Sequence, residues 1–490
     1  MADNFYTRLK VFGEKTAFRK PSGEILFTHA NLGSAVGRYA NALLNLGVEP
    51  GDRVTVQVEK SVASVVLYLA VMKTGAVYQP LNPAYTDIEV DYFVSDAAPR
   101  LIVCDPARQQ AMRSLADRHK VLAVVNLGAD GQGSLAALAA QMDEVHDTVP
   151  RTGDDLVGLL YTSGTTGRSK GAMITHGNLI SNAETLVKLW GITADDVLLH
   201  ALPMFHVHGL YVALNTAFLA GCEIIWFDKF EASAVIAALP RATLMMGVPT
   251  FYTRLLASKE FSKEACRNMR LFISGSAPLA AETHAAFSAR TGHAILERYG
   301  MTETGMITSN PLGGSRIAGT VGFALPGVSV RVASGVLEVK GPNVFKGYWR
   351  NPEKTAADFT ADGHFITGDL AQIDAQGRVS IVGRAKDLII SGGFNVYPKE
   401  IEEALDAMSG VTESAVIGVP HPDFGEAVVA VITTSAAPVE AELIASLATR
   451  LAKFKVPKRI IIAEELPRNA MGKVQKADLR KRHAGLFAVK

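Results

Sequence analysis

The sequence predicts an α/β protein in two parts: a large N-terminal region of mixed sheets covered by helices over residues 1–383, and a small α+β unit over 384–490. Three observations carry this. Helix and strand patterns alternate between residues 28 and 125, the rhythm of mostly parallel strands packed under helices. A length of 490 residues exceeds one ordinary hydrophobic core, so several packing units are needed. After Gly383-Arg384-Ala385-Lys386-Asp387 short strands and helices follow in quick succession, and a tail of about a hundred residues can hold a small core of its own.

In chain order, Leu32, Val36, Tyr39 and Leu43 fall on one helical face, with Gly47 where a helix would end. Val54, Val56 and Val58 alternate as a strand. An apolar helix around 62–72 follows, then short buried strands at 76–78, 101–103 and 121–125. The Ala-, Gly- and acid-rich stretch 130–149 reads as a connecting segment, 156–161 as a buried strand, and 210–227 as a buried helix followed by a strand. In the tail, strands are expected at 388–390, 415–419, 427–432 and 459–462, with one helix near Pro398 and another near 439–454.

Composition narrows the function. Hydrophobic residues make up 48% and charged residues 20%, as in soluble globular proteins. A net charge of +1 gives no general reason to expect nucleic acid or an acidic membrane as partner. The N-terminal MADNFYTRLKVFGEK lacks the apolar core of a signal peptide. Cys104, Cys222 and Cys266 are scattered and without CxxC spacing, so a disulfide framework or zinc site is not expected and a reducing cytoplasm fits.

Residues 161–171, YTSGTTGRSKG, are the organising stretch. Glycines let successive N–H groups converge on an anion, hydroxyls add donors, and Lys170 adds a point charge, so the expected ligand is polyphosphate. The spacing is not that of a Walker A loop, because Arg168-Ser169 separates Gly167 from Lys170. Further along, LLHALPMFHVHGL brings His200, His206 and His208 together without a carboxylate or cysteine at ligand spacing, which speaks against a metal. RLFISGSAPL is a strand ending in a Gly/Ser turn that a flat ligand can approach. In LERYGMTETG, Tyr299 can stack on a purine, Thr302 is a donor, and Glu303 is hard enough to hold Mg²⁺ beside phosphates. Thr367-Gly368-Asp369 reads as a turn between strands with an exposed carboxylate able to accept ribose hydroxyls. Lys473, just past a glycine in PRNAMGKV, sits on a turn that can swing its charge into a site; Lys476 and Lys481 read as solvated surface lysines.

In this order, these motifs resemble those of the acyl-adenylate-forming enzymes, the superfamily of acyl-CoA synthetases, peptide-synthetase adenylation domains and luciferases. The resemblance covers residues 161–473. It implies ATP, Mg²⁺ and coenzyme A as reactants, a carboxylic acid activated as its adenylate, and a thiol that then displaces AMP. Residue by residue, it implies phosphate contacts for Thr162, Ser163, Gly164, Thr165, Thr166, Gly167 and Lys170. It implies nucleotide or substrate contacts for Ser274, Gly275, Ser276 and Ala277, and further nucleotide contacts for Tyr299, Gly300, Met301, Thr302, Asp369 and Arg384. Glu303 would hold the metal, and Lys473 would act on the reacting groups together with Thr302 and Glu303. Lys386 would be the hinge of a mobile C-terminal domain, with Gly392, Gly393 and Lys399 bordering the pantetheine channel after the swing. His206 would line the acyl pocket.

Arg298 departs from the small residue usual before the tyrosine. An arginine facing a short acyl pocket is costly unless a second carboxylate pairs with it, and its planar fork suits one. Arg254 is a second candidate, with Ser276 beside the acid. ERYGMTE, PMFHVHG and VPTFYTR most closely resemble malonyl-CoA synthetases, which implies malonate, with methylmalonate or another short dicarboxylate as the near alternative. A stand-alone adenylation enzyme that loads a carrier protein, and a nucleotide-binding regulator without catalysis, are the competing readings. An exposed, essential Lys473 would also be a target for a lysine-modifying enzyme.

Overall fold

The computed structural model describes residues 3–11, 13–162, 169–391, 394–435, 439–451, 453–469 and 472–487. Two large sheets build the N-terminal region. One has six strands in the order Ala123–Asn126, Leu101–Cys104, Arg53–Gln57, Val77–Pro80, Leu156–Thr162, Lys170–Thr175, parallel except for the last pair. The other has nine strands, with a parallel centre that includes Val197–His200, Leu244–Gly247, Leu271–Ser274 and Leu296–Met301. Its edge beyond Leu296–Met301 is antiparallel, through Gly305–Ser309 and Phe323–Ala324.

The helix Val62–Lys73 is apolar all round and buried, which is what a helix inside the main core requires. Its Tyr68 hydroxyl meets Asn215 Oδ1 at 3.0 Å, and the buried helical segments His208–Leu214 and Asn215–Ala220 pack in the same core. Strand Arg53–Gln57 is covered on both faces, Thr55 and Gln57 included. The alternation at Val54, Val56 and Val58 therefore does not mark a half-exposed strand; central parallel strands lie under helices on both sides. The segment 130–149 is not all connection, for it contains the helix Ser134–Ala139 with Leu135 and Ala139 buried.

A four-stranded antiparallel sheet follows: Ser329–Ala333, Val336–Lys340, Phe365–Ile373 and Val379–Arg384. Thr367-Gly368-Asp369 lies inside the nine-residue strand Phe365–Ile373, not in a turn between strands. Gly368 takes a φ of +71° there beside irregular register, and that supplies the turn-like composition. The smaller C-terminal domain has a sheet made by Ile389–Ser391, Phe394–Val396, Val411–His421, Gly425–Thr434 and Arg459–Ile462, with helices Pro398–Asp406, Glu440–Ala448 and Lys476–His483. Its buried apolar clusters draw on no residue before Ile389. The helix expected near 439–454 stops at Ala448. Lys476 is not simply solvated: it pairs with Glu402 at 2.6 Å. The three cysteines are buried and unpaired. Among the described residues no helix is long and apolar enough to cross a membrane.

Candidate active site

Three corners of a candidate site lie around the strand Leu296–Met301 and the turn that follows it. At the first, Tyr299 on strand Leu296–Met301 donates its hydroxyl to Asp369 Oδ2. Arg384 Nε, at the end of its strand, lies 2.6 Å from Asp369 Oδ1. Asp369 is only 3% exposed, so it is not the open turn carboxylate its sequence context implied. Burial, then the Asp369 charge, pushes the Tyr299 phenol well above its usual range.

At the second corner, Glu303 lies in the tight turn between Leu296–Met301 and Gly305–Ser309. Its Oε1 accepts from the Thr162 hydroxyl at 3.2 Å and the Tyr348 hydroxyl at 3.3 Å. It is 6% exposed, and burial raises its pKa. Among the described residues no lysine or arginine nitrogen comes within ion-pair distance of it. A buried carboxylate without a cationic partner fits Mg²⁺, which takes few protein ligands when phosphates supply the rest. Lys170 opens the return strand opposite Thr162, with its amine 5.3 Å from the Tyr348 ring centre. Burial, then repulsion from Lys354, lowers its pKa. Ser163, Gly164, Thr165, Thr166 and Gly167 lie outside the described residues.

The third corner holds Arg298, on the opposite face of its strand from Tyr299. It is 4% exposed, and its Nε and Nη2 are buried without a hydrogen-bond partner. Burial lowers its pKa to about 9. The guanidinium lies against Gly275, where an added Cβ would stand 2.3 Å from Cζ. Next to it Ser276 adopts a φ of +72°, with its hydroxyl 3.1 Å from His208 Nδ1. Burial, then the Arg298 charge, keeps His208 neutral. His206, chosen from the sequence, is half-buried beside Phe205 and held down to about 4 by burial. His208 reaches the pocket residue Ser276, but a histidine in an apolar run gives no sign of that contact. Tyr348 likewise carried no sequence signal. Arg254 is exposed and lines a cleft of about 480 Å³ with Lys60, Phe205, Lys229 and Gly472; Arg298 is not among its walls.

Lys473 approaches the Asp369–Arg384 corner from the C-terminal domain. Its turn is fixed by Asn469, whose Oδ1 accepts from Lys473 N at 3.0 Å, and Gly472 takes a φ of +72° against Thr250. The residue as a whole is exposed, but desolvation at its amine and then repulsion from Arg384 bring its pKa to about 8, with Asp369 pulling the other way. Nucleotide corner and lysine are thus neighbours. Lys386 lies in the turn Ala385–Asp387, and Asp387 pairs with Arg480 at 2.6 Å. The Lys399 amine donates to Ile381 O at 2.7 Å, across the connection between the domains. Gly392 and Gly393 lie outside the described residues.

The chain is similar to a malonate–CoA ligase of Arabidopsis thaliana, 36% identical over 88% of this chain and 78% of the relative. It is also similar to a feruloyl-CoA synthase of Amycolatopsis sp, 35% identical over 97% of each. Among solved structures, ATP-bound MatB from Rhodopseudomonas palustris matches with a TM-score of 0.97 at 53% identity, over 99% of this chain and 100% of the other. The apo form of that protein matches over the same spans with a TM-score of 0.84, so the arrangement described here is nearer the ATP-bound one. With the AMP-binding enzyme model matched over residues 5–349 and its C-terminal domain model over 400–473, the chain belongs to the AMP-binding enzyme family.

Proposed function

We propose that this protein is an AMP-forming acid–thiol ligase that converts malonate, ATP and coenzyme A into malonyl-CoA, AMP and pyrophosphate through malonyl-AMP. Relatives alone do not choose the acid, since a malonate ligase and a feruloyl-CoA synthase are almost equally identical. The observation that carries the choice is the buried, unpaired Arg298 guanidinium. A monocarboxylic acid uses its one carboxylate in the reaction and would leave Arg298 without an anion, at a severe desolvation penalty. A dicarboxylate reacts at one end and pairs with the guanidinium fork at the other. Methylmalonate adds one methyl group, which a pocket of this kind discriminates only modestly.

In the first half-reaction an anion must attack the α-phosphorus of another anion, so positioning and charge neutralisation dominate. Arg298 fixes the far carboxylate, with the Ser276 hydroxyl beside it, so that the near carboxylate points at the nucleotide. Tyr299, Asp369 and Arg384 receive the adenosine, and Thr302 and Lys170 receive the phosphates. Mg²⁺ at Glu303, when bound, supplies further neutralisation for the leaving pyrophosphate. Lys473 bridges carboxylate and nucleotide oxygens. The second half-reaction needs no protein nucleophile, because malonyl-AMP is a mixed anhydride that the thiol attacks directly.

In this reading the domains divide at 383/384, Lys386 is the hinge, and a swing about it exchanges the Lys473 face for the face near Gly392, Gly393 and Lys399. Separate apolar clusters on either side support the division. Lys473 lies on an exposed turn with a partly neutral amine, which supports acylation by a lysine-modifying enzyme that would remove the charge; full adenylation by a charge-neutral mimic such as Lys473→Gln would disprove a switch there. A reducing cytoplasm fits three buried, free cysteines. The deciding experiment is an acid panel with ATP and CoA, comparing malonate with acetate, succinate, methylmalonate and ferulate. Malonate should give the highest kcat/KM, and Arg298→Gly should abolish that preference while leaving ATP binding in place. Equal turnover of ferulate, or an unaffected Arg298→Gly enzyme, would sink the assignment.

A further inference from the structure

We propose that Tyr92 and Asp96, one turn apart on the helix Asp87–Ala97, are positioning residues for adenylation: they fasten the two ends of the phosphate-binding loop. This rests on reading 163–168 as that loop. The chain enters it through Tyr161 and Thr162 and leaves it through Ser169 and Lys170, and the register pairs Thr162 with Lys170. On the entry side the Tyr161 hydroxyl donates to Asp96 Oδ2 at 2.5 Å. On the exit side the Tyr92 hydroxyl donates to Ser169 O at 2.6 Å. Both anchors come from one helix that is remote in sequence, so the two ends are held to a single rigid body.

The packing supports the same reading. The Tyr92 and Tyr161 rings meet edge-on at 6.3 Å, and Phe93 lies 4.7 Å from Tyr161. The other flank is closed by Trp349, whose backbone N–H donates to Gly171 O at 2.8 Å and whose indole donates to Asp96 O at 3.0 Å. Burial, then Asp96, pushes the Tyr161 phenol far up, so it stays a donor. Helix, loop base and outer segment thus form one hydrogen-bonded frame around the loop's stem. Backbone N–H groups hold a polyphosphate only if they converge before it arrives, and ordering a free loop at binding weakens affinity.

The test uses the full-length enzyme with Tyr92→Phe, Asp96→Ala and Asp96→Asn. Four quantities are read: MgATP affinity by calorimetry, KM for ATP and for malonate in pyrophosphate release, CoA thioester formation from supplied malonyl-AMP, and Tm. Tyr92→Phe and Asp96→Ala should each weaken MgATP binding by about tenfold, the loss of one or two buried hydrogen bonds. Asp96→Asn, which keeps an acceptor for Tyr161, should recover part of it. KM for malonate and the thioester step, which does not use the loop, should stay within about twofold of the parent. Unchanged MgATP affinity in both disruptive variants overturns the proposal, as does parallel loss of both half-reactions with a falling Tm. If the parent enzyme fails on malonate but binds MgATP, the acid assignment falls and the calorimetry still decides the role of the frame.

Discussion

Replacing Gly275 by alanine probes the acid pocket more sharply than removing Arg298 does. A Cβ at this position would stand 2.3 Å from Arg298 Cζ and 2.4 Å from Nη1, whereas ordinary contact begins near 3.5 Å. The guanidinium must therefore shift by about an ångström, enough to break a two-pronged fit to a carboxylate. Losing one partner of a buried, hydrogen-bonded charge pair costs about 2–5 kcal/mol, which is roughly thirtyfold to several thousandfold at 1.4 kcal/mol per factor of ten. Tilting the fork without deleting it should fall at the low end. Gly275→Ala is thus expected to lower kcat/KM for malonate by about thirtyfold or more, read by pyrophosphate release, with KM for ATP nearly constant. In an Arg298→Gly background the added methyl meets no guanidinium, so the two effects should not add. Equal loss from Gly275→Ala in both backgrounds would refute the steric argument.

Lys473→Ala should abolish adenylation yet spare CoA transfer from supplied malonyl-AMP; loss of both would contradict the role given to this lysine. Because Lys473 is brought down to about 8 and acts as a cation, kcat/KM should decline as pH rises through that value. Lys473→Arg, charged throughout, should lose this decline if it retains activity. Lys399→Met removes the bond to Ile381 O across the connection between the domains and should slow adenylation by about fivefold, measured apart from thioester formation, in which the same side chain is proposed to border the CoA channel. For stability, His176 is buried and its Nδ1 accepts from Phe5 N at 3.1 Å, with burial first holding its pKa down to about 4. The unfolded chain takes up that proton near pH 6.5, so this stabilisation is present above 6.5 and is lost as pH falls towards 4, amounting to about 3 kcal/mol. Chemical denaturation across that window should show the loss, and His176→Gln should reduce it.

The parts of the fold that could be read in advance are those whose signal is local. The helix Val62–Lys73, the short parallel strands and the Pro398 helix start each depend on neighbours within a few residues. The errors arose where long-range context decides. A Gly-Asp pair looks the same in a turn and in a distorted strand, so Asp369 was expected in the open and is instead clamped between Tyr299 and Arg384. The site followed the same rule. Glu303, Tyr299 and Lys473 sit in segments whose residue types state their chemistry. His208 and Tyr348 do not, because their roles come only from being packed against Ser276 and Glu303. Arg298 was legible as an oddity, while its dependence on Gly275 was not, since the two are joined only by the parallel pairing of Leu271–Ser274 with Leu296–Met301.

The same charges that make the cleft receptive explain why it need not stay closed. Around Lys473 stand Arg384 and Lys386, both repelling it, against Asp369 and Asp387. Asp369 is already occupied by Arg384 and the Tyr299 hydroxyl, so its attraction is shared. Without a polyanion the lysine amine is desolvated first and repelled by Arg384 second, which is why its pKa falls. A bound triphosphate and a dicarboxylate reverse that balance and draw the lysine in. Once pyrophosphate departs, much of the negative charge goes with it, and the repulsion from Arg384 and Lys386 returns while the Lys399–Ile381 bond is a modest restraint. On the proposed domain swing, the charge consumed in the first half-reaction would favour release of the domain for the second, and the separate half-reaction rates of the Lys399→Met and Lys473→Arg enzymes are where that coupling must show itself.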